Sequence, residues 1–445
     1  MRISNNKKFQ YLFFFILSIC VIFNGGNSNL MSQIIFITFS SYFLICLKNK
    51  NYKMHLNAFY LNYKNSIFFY CIFLIYLLFQ IVPLPINLLK IFSPEKFIYL
   101  SNIQEDIHYS SISLSPSNSF FQLLNFFSFL ILVFIIKMVF YSDRHKKRLF
   151  IFISLIGFIS SIVALGFYFI GNPDYLFIKN SFYSNSSTGF FINRTVFSIF
   201  CLFCLIASLE LLKEFDKETN IKNKDNFFIK NYIRLFIIFI SIGIITSFSR
   251  IGNFLLLLTI FFYLLGSKQS LQLNNKSFKY TIIFIFIFDI VILGIYFGTS
   301  QIIDRFYFLK EEFSHINYSD NNLTRFQLIK FSFEEIKNFY LFGYGTGGFE
   351  TLFQINQANS GSLFANHSHS DILEYIGEFG LVGFILFIFS IKKFFFSKST
   401  YSLINIILLL YLLIILCFDL SLHVPIVQIL FVIFFIVSSK KKNNF

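Results

Sequence analysis

About 12 apolar runs recur along the chain, and each is close to the length that a helix needs to cross a lipid bilayer. A spanning helix takes roughly 17–25 residues. The runs cover 9–24, 30–47, 66–82, 120–140, 149–170, 191–212, 232–248, 251–266, 280–298, 374–391, 401–418 and 424–439. They predict an all-α, polytopic integral membrane protein with about 12 transmembrane helices.

The charge content supports the same class. The 445 residues are 56% hydrophobic and only 13% charged, although the formal net charge is +15. A soluble domain carries roughly 25% charged residues, and a basic nucleic-acid-binding chain is charge-rich and apolar-poor. We therefore expect a lipid bilayer and no nucleic acid as partner.

Lysine and arginine near the ends of the runs predict the orientation. With the N-terminus placed in the cytoplasm, 27 of the 37 basic residues fall on the cytoplasmic side. Cytoplasmic loops carry an excess of positive charge. Both termini are therefore predicted to be cytoplasmic.

One junction decides the topology of the second half. Residues 232–266 could form one long helix, but Arg250 would then lie inside the membrane and later lysine-rich loops would be exported. We predict two helices joined by a tight turn at Ser249–Arg250.

This topology divides the chain into three regions. Residues 1–298 hold helices 1–9 with outer loops at 83–119 and 171–190, and residues 374–445 hold helices 10–12 and a basic cytoplasmic tail. Between them, residues 299–373 form one large outer loop. It contains a predicted amphipathic helix from Arg325 to Phe339, and we expect its apolar residues Phe331, Phe333 and Ile336 to rest on the membrane surface.

Three outer arginines lie close to helix ends: Arg194, Arg250 and Arg325. A guanidinium is a rigid fork of donors that suits bidentate binding of phosphate. A cluster of these arginines could hold a pyrophosphate. The alternative is that each one pairs with a carboxylate or a lipid headgroup.

The densest polar constellation follows a glycine-rich turn that includes Gly343 and Gly345. Such a turn indicates tight backbone geometry or close approach to a ligand. His367 and His369 are two residues apart, so they cannot share one helix face. With Asp371 and Glu374 they could ligate a metal, or one imidazole could act as a general base. A solvated polar loop is the third interpretation.

Three other polar residues remain outside these motifs. Asp289 lies inside the ninth apolar run, where it has no assigned role. Asp419 and His423 fall in the last outer loop, and we expect them to be interfacial.

The segment from Gly343 to Gly383 resembles the O-antigen ligase / Wzy-type polymerase superfamily of bacterial envelope glycosyltransferases. That superfamily has a GxG-x-F turn followed, after a gap, by H-N-x-x-L-x-x-x-x-E-x-G-x-x-G. The matching residues here are His369, Ser370, Leu373, Glu378, Gly380 and Gly383. Ser370 departs from the usual asparagine.

Three further segments resemble the superfamily in the expected order. Residues 188–194, which end in Asn193-Arg194, resemble a TGTFxNRN turn with Thr195 in place of the second asparagine. Residues 247–250 resemble the S-x-SR-G stretch, although Ile251 precedes Gly252. The proline-containing segments between 83 and 116 resemble the first long outer loop.

The resemblance implies a mechanism. The donor is a glycan on undecaprenyl pyrophosphate, and arginines at the positions of Arg250 and Arg325, with Arg194, hold the pyrophosphate. His369 deprotonates the acceptor hydroxyl, while Gly343, Gly345, Asn193, His367 and Asp371 belong to the supporting motifs. The resemblance implies no metal and no cofactor. The sequence also contains no Asp-x-Asp pair for a divalent ion.

The resemblance also implies a place and partners: a multi-pass protein of the bacterial inner membrane whose active site, including the loop 299–373, faces the periplasm. The acceptor could be a glycan, lipid A-core or a protein, which corresponds to a polymerase, a ligase or an oligosaccharyltransferase. A transporter or flippase of lipid-linked sugars is the main alternative, and a non-catalytic scaffold is the other.

Overall fold

The computed structural model describes residues 2–102, 107–174, 183, 185–217, 224–269, 325–356, 364–395 and 403–438, with a few positions between 279 and 291. Within these ranges the protein is helical apart from one short antiparallel pair of strands, β1 (Leu84–Pro85) and β2 (Tyr109–Ser110). The helices are α1 (Arg2–Ile22), α2 (Asn29–Leu47), α3 (Lys50–Ile81), α4 (Ile86–Phe92), α5 (Pro94–Ser101), α6 (Pro116–Val139), α7 (Asp143–Ile170), α8 (Arg194–Lys217), α9 (Lys224–Thr246), α10 (Arg250–Gln269), α11 (Arg325–Asn338), α12 (Phe349–Asn356), α13 (Asp371–Phe395), α14 (Leu403–Phe418) and α15 (Pro425–Ser438).

Seven of the described helices are long and apolar enough to cross a membrane. They are α2, α3, α6, α7, α8, α9 and α13, and α10, α14 and α15 contain shorter apolar stretches. The all-helical, multi-pass class is thereby confirmed. The apolar run at 280–298 lies largely outside the described residues, as does all of 299–324, so the count of about 12 and the orientation stay predictions.

The helix break predicted near Arg250 is present. Helix α9 ends at Thr246 and α10 begins at Arg250, with Phe248 between them at a positive φ of 50°. Helix α10 then packs closely on α8, because a Cβ at Gly252 would overlap Ser198. Helix α8 is the central one of the described long helices, because 94% of its most apolar, membrane-length stretch is buried inside the protein.

Helix α13 is bent at Gly380, whose φ of 64° and ψ of 177° are not helical. The bend leaves carbonyl groups without partners inside the helix, and the glycine-rich turn binds them. Tyr344 N donates to Gly377 O at 3.0 Å, and Gly345 N donates to Glu378 O at 3.1 Å. The turn at Gly343–Gly348 is thus fastened to α13 by its backbone.

The predicted outer loop at 83–119 folds into a small unit of α4, α5 and the two strands. Its centre is the buried Lys96, whose Nζ donates to Ser111 O at 2.7 Å and to Ser113 O at 2.5 Å. The same stretch reaches the glycine-rich turn, since Leu114 N donates to Tyr344 O at 2.9 Å. The first outer loop therefore supports the turn.

Helix α11 confirms the amphipathic helix predicted from Arg325, but one of its apolar residues was assigned wrongly. Phe331 is buried against Phe349 and Phe353 of α12, with ring centroids 6.1 and 5.3 Å away, and does not rest on the membrane surface. Phe333 is 57% exposed, as expected. The aromatic residues of α12 supply the apolar partner that the sequence pattern alone left open.

Candidate active site

The loop 364–370 and the first turn of α13 form a buried polar cluster. Glu374 accepts hydrogen bonds on both oxygens: Oε2 from Ser368 N at 2.9 Å, and Oε1 in contact with His367 Nδ1 at 2.8 Å. Asp371 and Glu374 are 0% and 1% exposed, whereas His367 is partly exposed. Glu374 thus ties the loop to the helix, and His367 forms the outward end of the cluster.

His423 completes the cluster from the other side. It lies in a 3-10 turn, Ser421–His423, between α14 and α15. Its Nδ1 is 2.5 Å from Asp371 Oδ1, and its Nε2 is 3.3 Å from Glu374 Oε1. Leu422 N also donates to Asp371 Oδ2 at 3.0 Å. One imidazole therefore contacts both carboxylates of the first turn of α13.

The charge state of His423 follows from these contacts. Burial on its own lowers the pKa of an imidazole, but the negative charges of Glu374 and Asp371 outweigh it and raise the pKa of His423 to about 10. The two carboxylates thus favour the protonated, imidazolium form of His423. Its ring also stacks on Tyr375, with centroids 4.7 Å apart.

His369 occupies an unusual backbone conformation in this loop. Its φ is 58°, in the left-handed region that L-residues rarely adopt. The neighbours on both sides fix it, since Ser368 Oγ donates to Ser370 O at 2.8 Å and accepts from Ser370 N at 3.1 Å. The structure thus places His369 on a backbone held in one conformation.

Three side chains of the cluster could in principle surround a metal ion. The donor atoms of His367, Glu374 and His423 lie within 4.8 Å of one another. A histidine must be neutral to ligate a metal, so a metal here would compete with Asp371 and Glu374 for the ring nitrogens of His423.

The predicted arginines begin three helices. Arg194 and Arg250 start α8 and α10, and these helix starts are neighbours, because Ser249 Oγ donates to Thr195 Oγ1 at 3.3 Å. Asn193 caps α8, with its Oδ1 accepting from Thr195 N at 2.7 Å. Asn193 therefore has a structural role here, and it sets the position of Arg194.

Arg325, the first residue of α11, belongs to the side of the buried cluster. Burial raises the pKa of Asp419, and the positive charge of Arg325 is among the groups that lower it. Asp419 O in turn accepts from Asp371 N at 3.1 Å. The charge of Arg325 therefore acts on a residue whose backbone contacts the helix turn that carries the cluster.

Gly343 and Gly345 pack the glycine-rich turn against α13 and the outer unit. Both have positive φ, 71° and 88°. A Cβ on Gly343 would overlap Glu378 O, and a Cβ on Gly345 would overlap Ser113. These glycines serve backbone packing, and Glu378 Oε1 accepts from Gly347 N at 2.5 Å.

An apolar cavity of about 330 Å³ lies directly beneath the cluster. Along α13 it is lined by Ile372 and Tyr375 at one end and Ile391 at the other, and Leu422 of the 3-10 turn also contributes. The cavity therefore borders α13 on both sides of its bend at Gly380.

Sequence reasoning missed the role of His423. His423 and Asp419 were expected to be interfacial, but they are 8% and 1% exposed, so that expectation is wrong. A signal was present in the sequence: Asp371, Glu374 and Glu378 follow i, i+3, i+7 spacing on one face of an apolar helix. Buried carboxylates on one face require a cation, and His423 supplies it.

The fold and the site together define a multi-pass helical membrane protein with a buried carboxylate–imidazole cluster and an apolar cavity below it. Residues 235–388 match the family model described as O-Antigen ligase, which confirms the predicted resemblance to the O-antigen ligase / Wzy superfamily. The matched range includes Arg250, Arg325 and the loop with His367 and His369. A comparison with curated proteins found no match.

Proposed function

We propose that this protein transfers a glycan from undecaprenyl pyrophosphate to an acceptor hydroxyl at the periplasmic face of the bacterial inner membrane. The family match supports glycan transfer of the ligase or polymerase type. One structural observation carries the proposal: the backbone around His369 is held by hydrogen bonds from both neighbours, next to a buried cluster whose Tyr375 and 3-10 turn also line the apolar cavity.

His369 is the general base in this proposal. The acceptor hydroxyl attacks the anomeric carbon, its proton passes to the imidazole of His369, and the bond from that carbon to the pyrophosphate oxygen breaks. The fixed backbone of residues 368–370 supports this role, since a base must be held within hydrogen-bonding reach of the proton it accepts. The leaving group departs as polyprenyl pyrophosphate.

Arg250, Arg325 and Arg194 hold the pyrophosphate. Their forked donors would neutralise the charge that develops on the leaving oxygen, a task that a preorganised site performs without metal. The helix starts at Arg194 and Arg250 also present backbone N–H groups, which favour anions. The apolar cavity suits the hydrocarbon chain of the donor, because its lining is almost entirely aliphatic and aromatic.

Reconstitution tests the function. The full chain in nanodiscs would receive a defined undecaprenyl-pyrophosphate glycan and, in turn, lipid A-core, a second lipid-linked glycan and a peptide, and mass spectrometry would identify the product. His369→Ala should lower the rate by about 10²–10⁴-fold, the range for loss of a general base. His108→Ala is the control, because His108 is an exposed outer-unit residue.

Four results would contradict the proposal or a part of it. No transfer to any acceptor would remove the enzyme assignment, and donor movement across the bilayer without transfer would favour a flippase. A wild-type rate for His369→Ala would remove the base assignment alone. EDTA should leave the rate unchanged, and loss of activity restored by a divalent cation would establish the metal-dependent alternative.

A further inference from the structure

We propose that His423 is a positioning residue of the transfer site: it clamps Asp371 and Glu374 and thereby fixes the loop that carries His369. The inference rests on the proposed function. It gives a role to a residue about 50 positions beyond the histidine motif and outside the range that matches the family model.

His423 contacts two carboxylates of α13 through its two ring nitrogens. The His423 ring lies 2.5 Å from Asp371 through Nδ1 and 3.3 Å from Glu374 through Nε2. Tyr375 stacks on the ring at 4.7 Å, and the His367 ring lies 4.8 Å away. The 3-10 turn is itself anchored to the clamp, since Leu422 N donates to Asp371.

Glu374 connects the clamp to the loop that carries His369. Glu374 contacts His367 Nδ1 with one oxygen and accepts from Ser368 N with the other. Ser368 in turn holds Ser370 through two hydrogen bonds, on either side of His369. Any displacement of the Glu374 carboxylate therefore moves the backbone on which His369 is carried.

The buried carboxylates of the clamp need a cation on energetic grounds. The groups that face His423 are Asp371, Glu374 and Glu378 from α13, His367 from the preceding loop and the phenol of Tyr375. Without the imidazolium, two fully buried carboxylates would lose their shared counter-charge, and such a loss is strongly unfavourable. One carboxylate would take up a proton or move, and the His369 backbone at φ 58° would lose the contacts that hold it.

The test uses variants of the full chain in nanodiscs, assayed with the undecaprenyl-pyrophosphate glycan and the acceptor that the wild type uses. His423→Asn keeps a donor for Asp371 but removes the charge and the reach to Glu374. We expect kcat to fall about 10²-fold, as for small misplacements of a reacting group, while the donor KM changes less than about twofold. Glu374→Gln should lower kcat similarly, and the double variant should lose no more than either single one.

Tyr411→Phe is the matched control. Tyr411 forms a buried hydrogen bond with Thr259 between α14 and α10, and it lies outside the cluster. Loss of this hydrogen bond should lower the melting temperature of the protein and leave kcat unchanged. Asp371→Asn is the second variant should His423→Asn fail to fold, and the same loss of kcat is expected of it.

The outcomes separate the two proposals. If the wild type transfers no glycan, the proposed function fails. If the wild type is active and His423→Asn, or Asp371→Asn in its place, keeps the wild-type kcat, the positioning role fails alone. Additive losses in the double variant, or an equal loss of kcat in Tyr411→Phe, would also overturn the positioning role, because they indicate general destabilisation.

Discussion

Arg194 and Arg250 gain their significance from position. Each is the first residue of a helix, and the two helix starts touch through Thr195 and Ser249. The sequence could identify both residues as outer arginines near helix ends, because apolar run lengths and lysine distribution predict helix ends. It could not show that the two ends are neighbours, because that contact joins positions more than 50 residues apart.

Replacing Arg250 or Arg325 by lysine tests the requirement for a guanidinium. Lysine keeps the charge but loses the planar fork, so we expect the transfer rate to fall by about 10-fold or more. Steady-state kinetics with the lipid-linked donor would measure it. Arg144→Lys, the same exchange in an exposed residue of α7, should have no effect, and equal rates in all three variants would contradict the pyrophosphate role.

At the scale of elements, the glycine-rich turn and α13 form one interlocked unit. The sequence indicated tight geometry at Gly343 and Gly345, and that prediction is confirmed by their positive φ values. The binding partner of the turn could not be predicted from the sequence. The bend at Gly380 frees carbonyl groups of α13 from helical hydrogen bonds, and these groups find their partners in α3 and in the turn only in the folded structure. A local pattern specifies conformation, whereas its partner depends on tertiary packing.

Gly345→Ala tests this interlock. The alanine would sit at φ 88° and would overlap Ser113, so strain of about 1–2 kcal/mol adds to an overpacking cost of about 1–3 kcal/mol. Thermal unfolding in detergent should show a clear loss of stability. Gly171→Ala is the control, because Gly171 has a φ of 89° but open space around its Cβ position, and it should lose only the strain. Equal losses of stability in the two variants would show that Ser113 moves aside to accommodate the added methyl group.

The outer unit depends on the hydrogen bonds of the buried Lys96 side chain. Its ammonium donates to two backbone carbonyls and to Ser111 Oγ. Lys96→Met would leave these buried acceptors without a donor, at a cost of about 1–3 kcal/mol. Thermal unfolding would measure the loss, and Lys90→Met on neighbouring α4, where the side chain is exposed, should be nearly neutral. A neutral Lys96→Met would remove the anchoring role.

Lys96 also predicts a pH dependence. Burial lowers the pKa of Lys96 from its usual 10.5 to about 8. Between these values the unfolded chain binds a proton that the folded chain has released, so stability rises with pH. The wild type should gain stability relative to Lys96→Met between pH 8 and 10, and a constant difference in melting temperature would contradict this.

At the scale of the whole molecule, the distribution of charge predicts which side of the membrane each loop occupies. The first turns of α7 carry Arg144, Lys146, Lys147 and Arg148, whereas the outer unit at 83–119 carries Lys90 and Lys96. Lysine-rich loops stay in the cytoplasm, so α6 and α7 should meet at the cytoplasmic face. Helices α6 and α7 are joined through residues 140–142, so the end of α6 and the basic start of α7 lie on the same side. The side itself stays a prediction that chemical accessibility tests.

Cysteine labelling tests the orientation directly. In a background without the six native cysteines, Tyr109→Cys places a thiol on the outer unit, at a position 66% exposed. Asp143→Cys places one at the start of α7, where the native side chain is 95% exposed. A membrane-impermeant maleimide should label Tyr109→Cys in intact spheroplasts and Asp143→Cys only after permeabilisation. The reverse pattern would invert the topology and place the His369 loop in the cytoplasm, away from any periplasmic glycan.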